Sequence, residues 1–190
     1  IPLAYTVHNF VTYGRGKILR RYIQHFEKWM GKKTQKIFAV SKALKASMNR
    51  DMGIPEEKIH VIYNALPAFP AGDGNSIRKN YSIGDNEWIV GTVARLIPSK
   101  GIQVLITAMS GILFKYPYVK LLIVGSGPDE NHLKKLAESL GVSKQTIFAG
   151  KVSNVQDYYA SFNIFALPTL SEGLGITVLE AMYSELPIIA

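Results

Sequence analysis

The chain has 190 residues, with 22 Lys and Arg against 14 Asp and Glu and no cysteine. Its 47% hydrophobic content supplies one large apolar core or two small ones, and no apolar run approaches the length of a membrane span. The absence of cysteine excludes disulfides and cysteine-ligated metal sites and fits a cytoplasmic protein.

Charge is unevenly spread. Residues 1–66 hold twelve Lys and Arg and four Asp and Glu, whereas residues 67–190 hold ten of each, so the net charge of +8 lies in the first third. A domain boundary is therefore expected, with a linker at 67–86, where Pro67, Pro70, Gly72, Asp73, Gly74 and Asn75 cluster. The expected domains are 1–66 and 87–190.

In chain order, the hydrophobic pattern predicts a strand at 4–8, ending at His8 before a loop with Gly14-Arg15-Gly16. A basic helix follows at 17–30. Its apolar stripe, Ile18, Leu19, Tyr22, Ile23, Phe26, Trp29 and Met30, is expected to pack on the first sheet rather than lie in a membrane interface. The basic surface suits an anionic acceptor, such as a lipid-linked one, or peripheral contact with the inner face of an anionic membrane. Nucleic acid is not expected, because no known binding motif accompanies the charge. A strand at 36–40, a helix at 42–52 and a strand at 60–63 complete the first domain; a short helix near 77–81 interrupts the linker.

The second domain reads as strands at 88–94, 120–124, 146–149, 164–167 and 187–190, alternating with helices at 102–116, 130–140, 155–161 and 175–184. Such alternation implies α/β architecture with parallel sheets covered on both faces. Asp85-Asn86-Glu87 superficially resembles a metal-binding Asp-x-Asp but precedes a strand, so a solvated loop is expected. His25, His60 and His132 have no partner pattern.

Two carboxylates, Glu172 and Glu180, bracket Gly-Leu-Gly-Ile-Thr-Val-Leu. Glu172 falls in the loop before the last helix and Glu180 about one and a half turns inside it. Gly173 and Gly175 let a ligand approach the backbone, and the free N–H groups of a helix's first turn attract anions. Carboxylate, anion seat and second carboxylate match sugar, pyrophosphate and ribose. Arg95 and Lys100 flank a Pro-Ser turn at the carboxyl end of strand 88–94, where ligands of open parallel sheets bind. Two cations there can neutralise a diphosphate, Arg by a forked contact and Lys as a point charge.

With these residues in place, the chain resembles the retaining glycosyltransferases of family four (glycosyl transferases group 1). The resemblance rests on 91–101, 121–128 (Leu-Leu-Ile-Val-Gly-Ser-Gly-Pro), 148–152 and 167–190, with weaker echoes at 38–43 and 59–64. The family has Asn-Gly after the last of these; here Ala65 follows Asn64. The resemblance implies a GT-B fold of two facing Rossmann-like domains with parallel sheets, both truncated here, the chain being the middle of a longer enzyme. It implies transfer of a hexose from a nucleoside diphosphate sugar to an acceptor hydroxyl on a polysaccharide, lipopolysaccharide or glycolipid precursor, with no metal and no cofactor. Catalytic roles then fall to Arg95, Lys100, Glu172 and His8. Glu172 would contact the sugar hydroxyls and Glu180 the ribose hydroxyls. Gly173, Leu174, Gly175, Thr177, Gly125, Gly127, Lys151 and Val152 would line the donor. His8 has a second reading, a strand-end histidine bonded to backbone. A nucleotide-sugar-binding module without catalysis remains an alternative. A nicotinamide-dependent oxidoreductase is disfavoured, because Glu130 stands where a dinucleotide fingerprint has its third glycine.

Overall fold

The computed structural model describes residues 3–9 and 16–190, without the side chains of Lys17 and Arg20. Gly14 and Arg15 of the expected glycine-containing loop lie outside the described residues. The chain divides into two units, one of residues 1–65 with Ser171–Gly175 and one of Leu66–Leu170 with Ile176–Ala190.

The first unit holds β1 (Ala4–Val7), α1 (Lys17–Lys33), β2 (Lys36–Ala39), α2 (Lys42–Met52) and β3 (Ile59–Val61). The strands pair in parallel in the order β1-β2-β3. Ser41 caps α2 by accepting from the Leu44 N–H at 3.1 Å, and Gly53 ends it in the left-handed conformation, φ 63°. Leu44, Met48 and Met52 of α2 pack with Ile37, Ala39, Ile54 and Ile59 to form this unit's core.

Helix α1 departs from expectation. Most of its stripe stays exposed, with Ile18 at 77%, Tyr22 at 73%, Phe26 at 57% and Trp29 at 57%, while Ile23 and Met30 are half-buried. The Tyr5 hydroxyl of β1 donates to the Glu27 carboxylate at 3.3 Å, and further contacts cluster at the carboxyl end of the helix. Gly31 is buried and lies so close to Ile54 that a Cβ would stand 2.9 Å from its side chain. The Lys58 ammonium donates to the carbonyls of Gly31, Lys32 and Thr34 at 3.1–3.3 Å, a cationic cap on the negative end of the helix. Amphipathic periodicity gives the face a helix can bury, and the partner surface decides whether it is buried.

The second unit holds α3 (Gly74–Asn80), β4 (Trp88–Val93), α4 (Ile102–Lys115), β5 (Val119–Val124), α5 (Glu130–Ser139), β6 (Thr146–Gly150), α6 (Val155–Ser161), β7 (Ile164–Ala166), α7 (Ile176–Tyr183) and β8 (Ile188–Ile189). All strands are parallel, in the order β6-β5-β4-β7-β8. The chain steps outward from β4 to β5 and β6, then returns through α6 to start β7 on the other side of β4. Leu105, Ile106, Met109 and Leu113 of α4 and Leu133 and Ala137 of α5 fill one core. Tyr158, Tyr159 and Phe162 join Ala181 of α7 in another.

Residues 67–86, expected as a linker, are packed into this second unit. Ile77 and Ile83 belong to its core, with Phe69 and Tyr81 against it. The helix is anchored from both directions: Asp73 caps it by accepting from Asn75 and Ser76, and its own N–H donates to the Asp157 carboxylate at 2.8 Å. Gly72 and Gly74 are required by proximity, since a Cβ on either would collide with the α6 backbone at Gln156 or Ala160. The turn-forming composition reflects close backbone packing, not a solvated connector.

The Asp85-Asn86-Glu87 turn is only partly a solvated loop. Asp85 and Asn86 are exposed, but the Glu87 carboxylate accepts from the Gly84 N–H at 2.7 Å and pairs with Lys120 at 3.1 Å. It closes the amino end of the sheet.

Candidate donor site at the strand-order reversal

The order of the second sheet reverses between β4 and β7, and in open α/β sheets the crevice at that point, outside the carboxyl ends, is the ligand-binding position. The β4–β5 ladder runs to Val93 opposite Val124, but the β4–β7 ladder ends at Gly91 opposite Phe165. Past that pair the exit loops of β4 and β7 meet again through backbone. The Leu170 N–H donates to the Ser99 carbonyl at 2.9 Å, and the Thr169 hydroxyl reaches the same oxygen at 3.3 Å. Gly101, at φ 67°, leaves no room for a Cβ beside the Pro168 carbonyl.

Arg95 and Lys100 both lie on the exit loop of β4, with Lys100 ending a 3-10 turn over Pro98–Lys100 just before α4. Arg95 is exposed, and its guanidinium makes no hydrogen bond or ion pair among the described residues. Lys100 is half-buried.

Gly125 and Gly127 follow β5 at the same edge. What they make room for in this structure is backbone: a Cβ on Gly125 would strike the Ala94 carbonyl, and one on Gly127 the Leu96 carbonyl. Leu96 is tied to this loop twice, donating to the Ser126 carbonyl at 3.0 Å and accepting from the Asp129 N–H at 3.1 Å. Glu130, in the third-glycine place, pairs with Lys134 at 2.7 Å in the first turns of α5. Lys151 is exposed directly after β6, and Val152 packs against the second core. The Gly125 N–H donates to the Gly150 carbonyl at 2.8 Å, so the exits of β4, β5 and β6 form one bonded rim.

Thr177 and Glu180 lie on α7. Glu180 is half-buried, and its Oε2 accepts from the Tyr159 hydroxyl at 2.8 Å. The same hydroxyl stands 3.1 Å from the Thr177 carbonyl. Tyr159 has no exposed surface, and burial, followed by the Glu180 charge, raises its pKa far above the ordinary tyrosine value. Sequence reasoning missed Tyr159; its only signal was a polar-tipped aromatic on the apolar face of the preceding helix.

Glu172, Gly173, Leu174 and Gly175 group with the first unit. There Leu174 packs against the core that includes Val7, and Gly173 is buried, with no space for a Cβ beside the His8 carbonyl. Glu172 is half-buried. His8 is exposed just past β1, so it meets Gly173 through its main chain.

Among the described residues no group of three His, Asp or Glu side chains is placed to hold a metal ion, and no helix is long and apolar enough to cross a membrane.

A family model described as glycosyl transferases group 1 matches residues 73–190, and one described as glycosyltransferase family 4 matches residues 1–68. An uncharacterised glycosyltransferase of Methanocaldococcus jannaschii is 33% identical over 161 residues, covering 80% of this chain and 41% of the relative. A GDP-mannose-dependent alpha-(1-6)-phosphatidylinositol monomannoside mannosyltransferase of Mycobacterium tuberculosis is 36% identical over 123 residues, covering 60% of this chain and 32% of its own length. The chain thus spans less than half of each of these relatives. Among solved structures, Anabaena HepE in complex with UDP-glucose superposes with a TM-score of 0.84 at 23% identity, over 98% of this chain and 52% of HepE. That likeness establishes the fold, the GT-B class of α/β proteins with parallel sheets. Matched over residues 73–190 by the family's own model, the chain belongs to the glycosyl transferases group 1 family.

Proposed function

We propose that the protein of which this chain forms part is a retaining glycosyltransferase that moves a hexose from a nucleoside diphosphate sugar to an acceptor hydroxyl. The observation that carries the reading is the uncommitted, exposed Arg95 guanidinium at the strand-order reversal, with Lys100 on the same loop. The names of the relatives support it: the mycobacterial enzyme uses GDP-mannose, and HepE was solved with UDP-glucose. They differ in base and sugar, so the proposal names the donor class alone.

The chemical difficulty is the departing diphosphate. As the anomeric carbon–oxygen bond breaks, its electron pair leaves on a phosphate oxygen while oxocarbenium character grows on the sugar. Arg95 and Lys100 meet that negative charge, the electrostatic form of catalysis, which is worth several kcal/mol per well-placed donor at about 2.7–4. Metal is not required in this scheme. Retention needs the acceptor oxygen to arrive on the face the diphosphate leaves, and the departing phosphate oxygen is then the nearest base for the hydroxyl proton. Glu172 orients the sugar hydroxyls and Glu180 the ribose hydroxyls. The exposed basic face of α1, with Arg21, Lys28, Lys32 and Lys33, suits an anionic acceptor or an anionic membrane surface carrying it.

The two glutamates test the layout. Glu180→Ala in the full-length protein should weaken a bare nucleoside diphosphate by about 1.5–3 kcal/mol, since charged acceptors are lost from the ribose. Glu172→Ala should leave that affinity nearly unchanged while turnover collapses. Calorimetry with UDP and GDP, followed by initial rates with the sugar nucleotide, separates the two. Equal weakening by both variants would overturn the assignment of sugar to Glu172 and ribose to Glu180.

A further inference from the structure

We propose that Tyr159 is a positioning residue for the donor site, fixing Glu180 in the rotamer that receives the ribose; this rests on the ribose reading of Glu180 given above. Both residues lie in the second unit, Tyr159 on α6 and Glu180 on α7.

The phenol ring is immobilised. Its neighbours are Phe69 at 5.8 Å between centroids, Phe162 at 5.8 Å and Phe165 at 5.7 Å, and none of its surface reaches solvent. From that fixed base the hydroxyl donates to Glu180 Oε2 at 2.8 Å. A phenol has one proton and two acceptors compete for it, Oε2 at 2.8 Å and the Thr177 carbonyl at 3.1 Å. The nearer, charged oxygen takes it, because hydrogen bonds to ionised acceptors are the stronger kind. With burial and the Glu180 charge both raising the tyrosine's pKa, the hydroxyl stays protonated and donates at every working pH.

The consequence falls on Glu180. A glutamate on a helix has three rotatable side-chain bonds, and ordering them opposes any contact that needs one geometry. Tyr159 orders the side chain before a ligand arrives and occupies one oxygen. Oε1 makes no hydrogen bond among the described residues and remains as the acceptor for a ligand hydroxyl. Preorganisation of this kind raises affinity by removing an ordering cost rather than by adding a contact.

Tyr159→Phe is the discriminating variant, because phenylalanine keeps all three ring contacts and removes only the hydroxyl. In the full-length protein, the variant should unfold near the wild-type temperature yet bind UDP or GDP, whichever the wild type prefers, about three- to tenfold more weakly, on the order of 0.7–1.4 kcal/mol by the affinity relation. Inorganic pyrophosphate, which has no ribose, should bind both proteins equally. In a Glu180→Ala background the Tyr159→Phe change should have no further effect on nucleotide affinity. That background is clean, since the freed hydroxyl can turn to the Thr177 carbonyl and is not left unpaired. Unchanged nucleotide affinity in Tyr159→Phe, with Glu180→Ala still costly, would overturn the positioning role alone. An equal loss for pyrophosphate, or a loss that persists in the Glu180→Ala background, would also overturn it by showing a general effect on the fold. If Glu180→Ala itself leaves nucleotide affinity intact, the ribose reading fails and this inference fails with it.

Discussion

Gly101 sits with its α-carbon against the carbonyl of Pro168, with no space for a Cβ and with φ at 67°. Through this contact the exit loop of β4, which carries Arg95 and Lys100, is braced against the exit loop of β7. Gly141 provides a control: its φ is 71°, but nothing lies within 4 Å of a Cβ built there. Gly141→Ala should therefore cost only the left-handed strain, about 1–2 kcal/mol. Gly101→Ala should cost more, because the loops must also separate, and it alone should weaken nucleotide binding. Denaturant titration of both variants, with calorimetry on UDP and GDP, checks this. Equal destabilisation would show that the Pro168 contact is loose enough to yield.

The cations on that loop carry the second expectation. Arg95→Ala and Lys100→Ala should each lower kcat by about two orders of magnitude, the scale of losing one preorganised donor to a developing oxyanion. Arg95→Lys should recover only part of the rate, since an ammonium cannot make the forked contact. Steady-state kinetics of the full-length enzyme give the answer; near-wild-type turnover in both alanine variants removes the loop from the mechanism.

Protein cations meeting the diphosphate charge imply insensitivity to chelation. Turnover should persist in EDTA at the wild-type rate. Complete loss, restored by Mg²⁺ or Mn²⁺, would contradict the proposed chemistry.

At the opposite edge of the sheet, the pH response has a defined sign. The Gly84 N–H, and then Lys120, hold the Glu87 carboxyl below its usual pKa. A depressed folded-state value means stability fully present above the unfolded value of about 4.3 and lost as pH falls through the lower, folded value. Glu87→Gln should accordingly lower the unfolding midpoint modestly at neutral pH, converge with the wild type in acid, and so flatten the dependence of the midpoint on pH below about 4. An unchanged slope would place the acid sensitivity elsewhere.

Much of this protein was legible in order along the chain. The apolar runs that became β4 through β8 and the periodic segments that became α4 through α7 are local signals: a strand buried on both faces is apolar throughout, and a helix repeats its apolar face every turn. The same local reading placed Arg95 at a strand's carboxyl end and Glu180 inside a helix. Local reading failed wherever the cause was another segment. The glycines of 67–86 resemble a linker, yet Gly72 and Gly74 are small because the α6 backbone passes beside them. The apolar stripe of α1 resembles a buried face, yet whether it is buried depends on a surface elsewhere in space, and Tyr22 and Trp29 stay exposed.

By itself the sequence determined which residues can carry charge to a ligand, since residue type and position relative to strand ends are properties of the chain alone. Tertiary structure decided how those residues are held. The hydrogen bond from Tyr159 to Glu180 and the brace between Gly101 and Pro168 join positions 21 and 67 residues apart. No periodicity encodes such pairs; they exist only once a parallel sheet brings β4 beside β7 and α6 against α7.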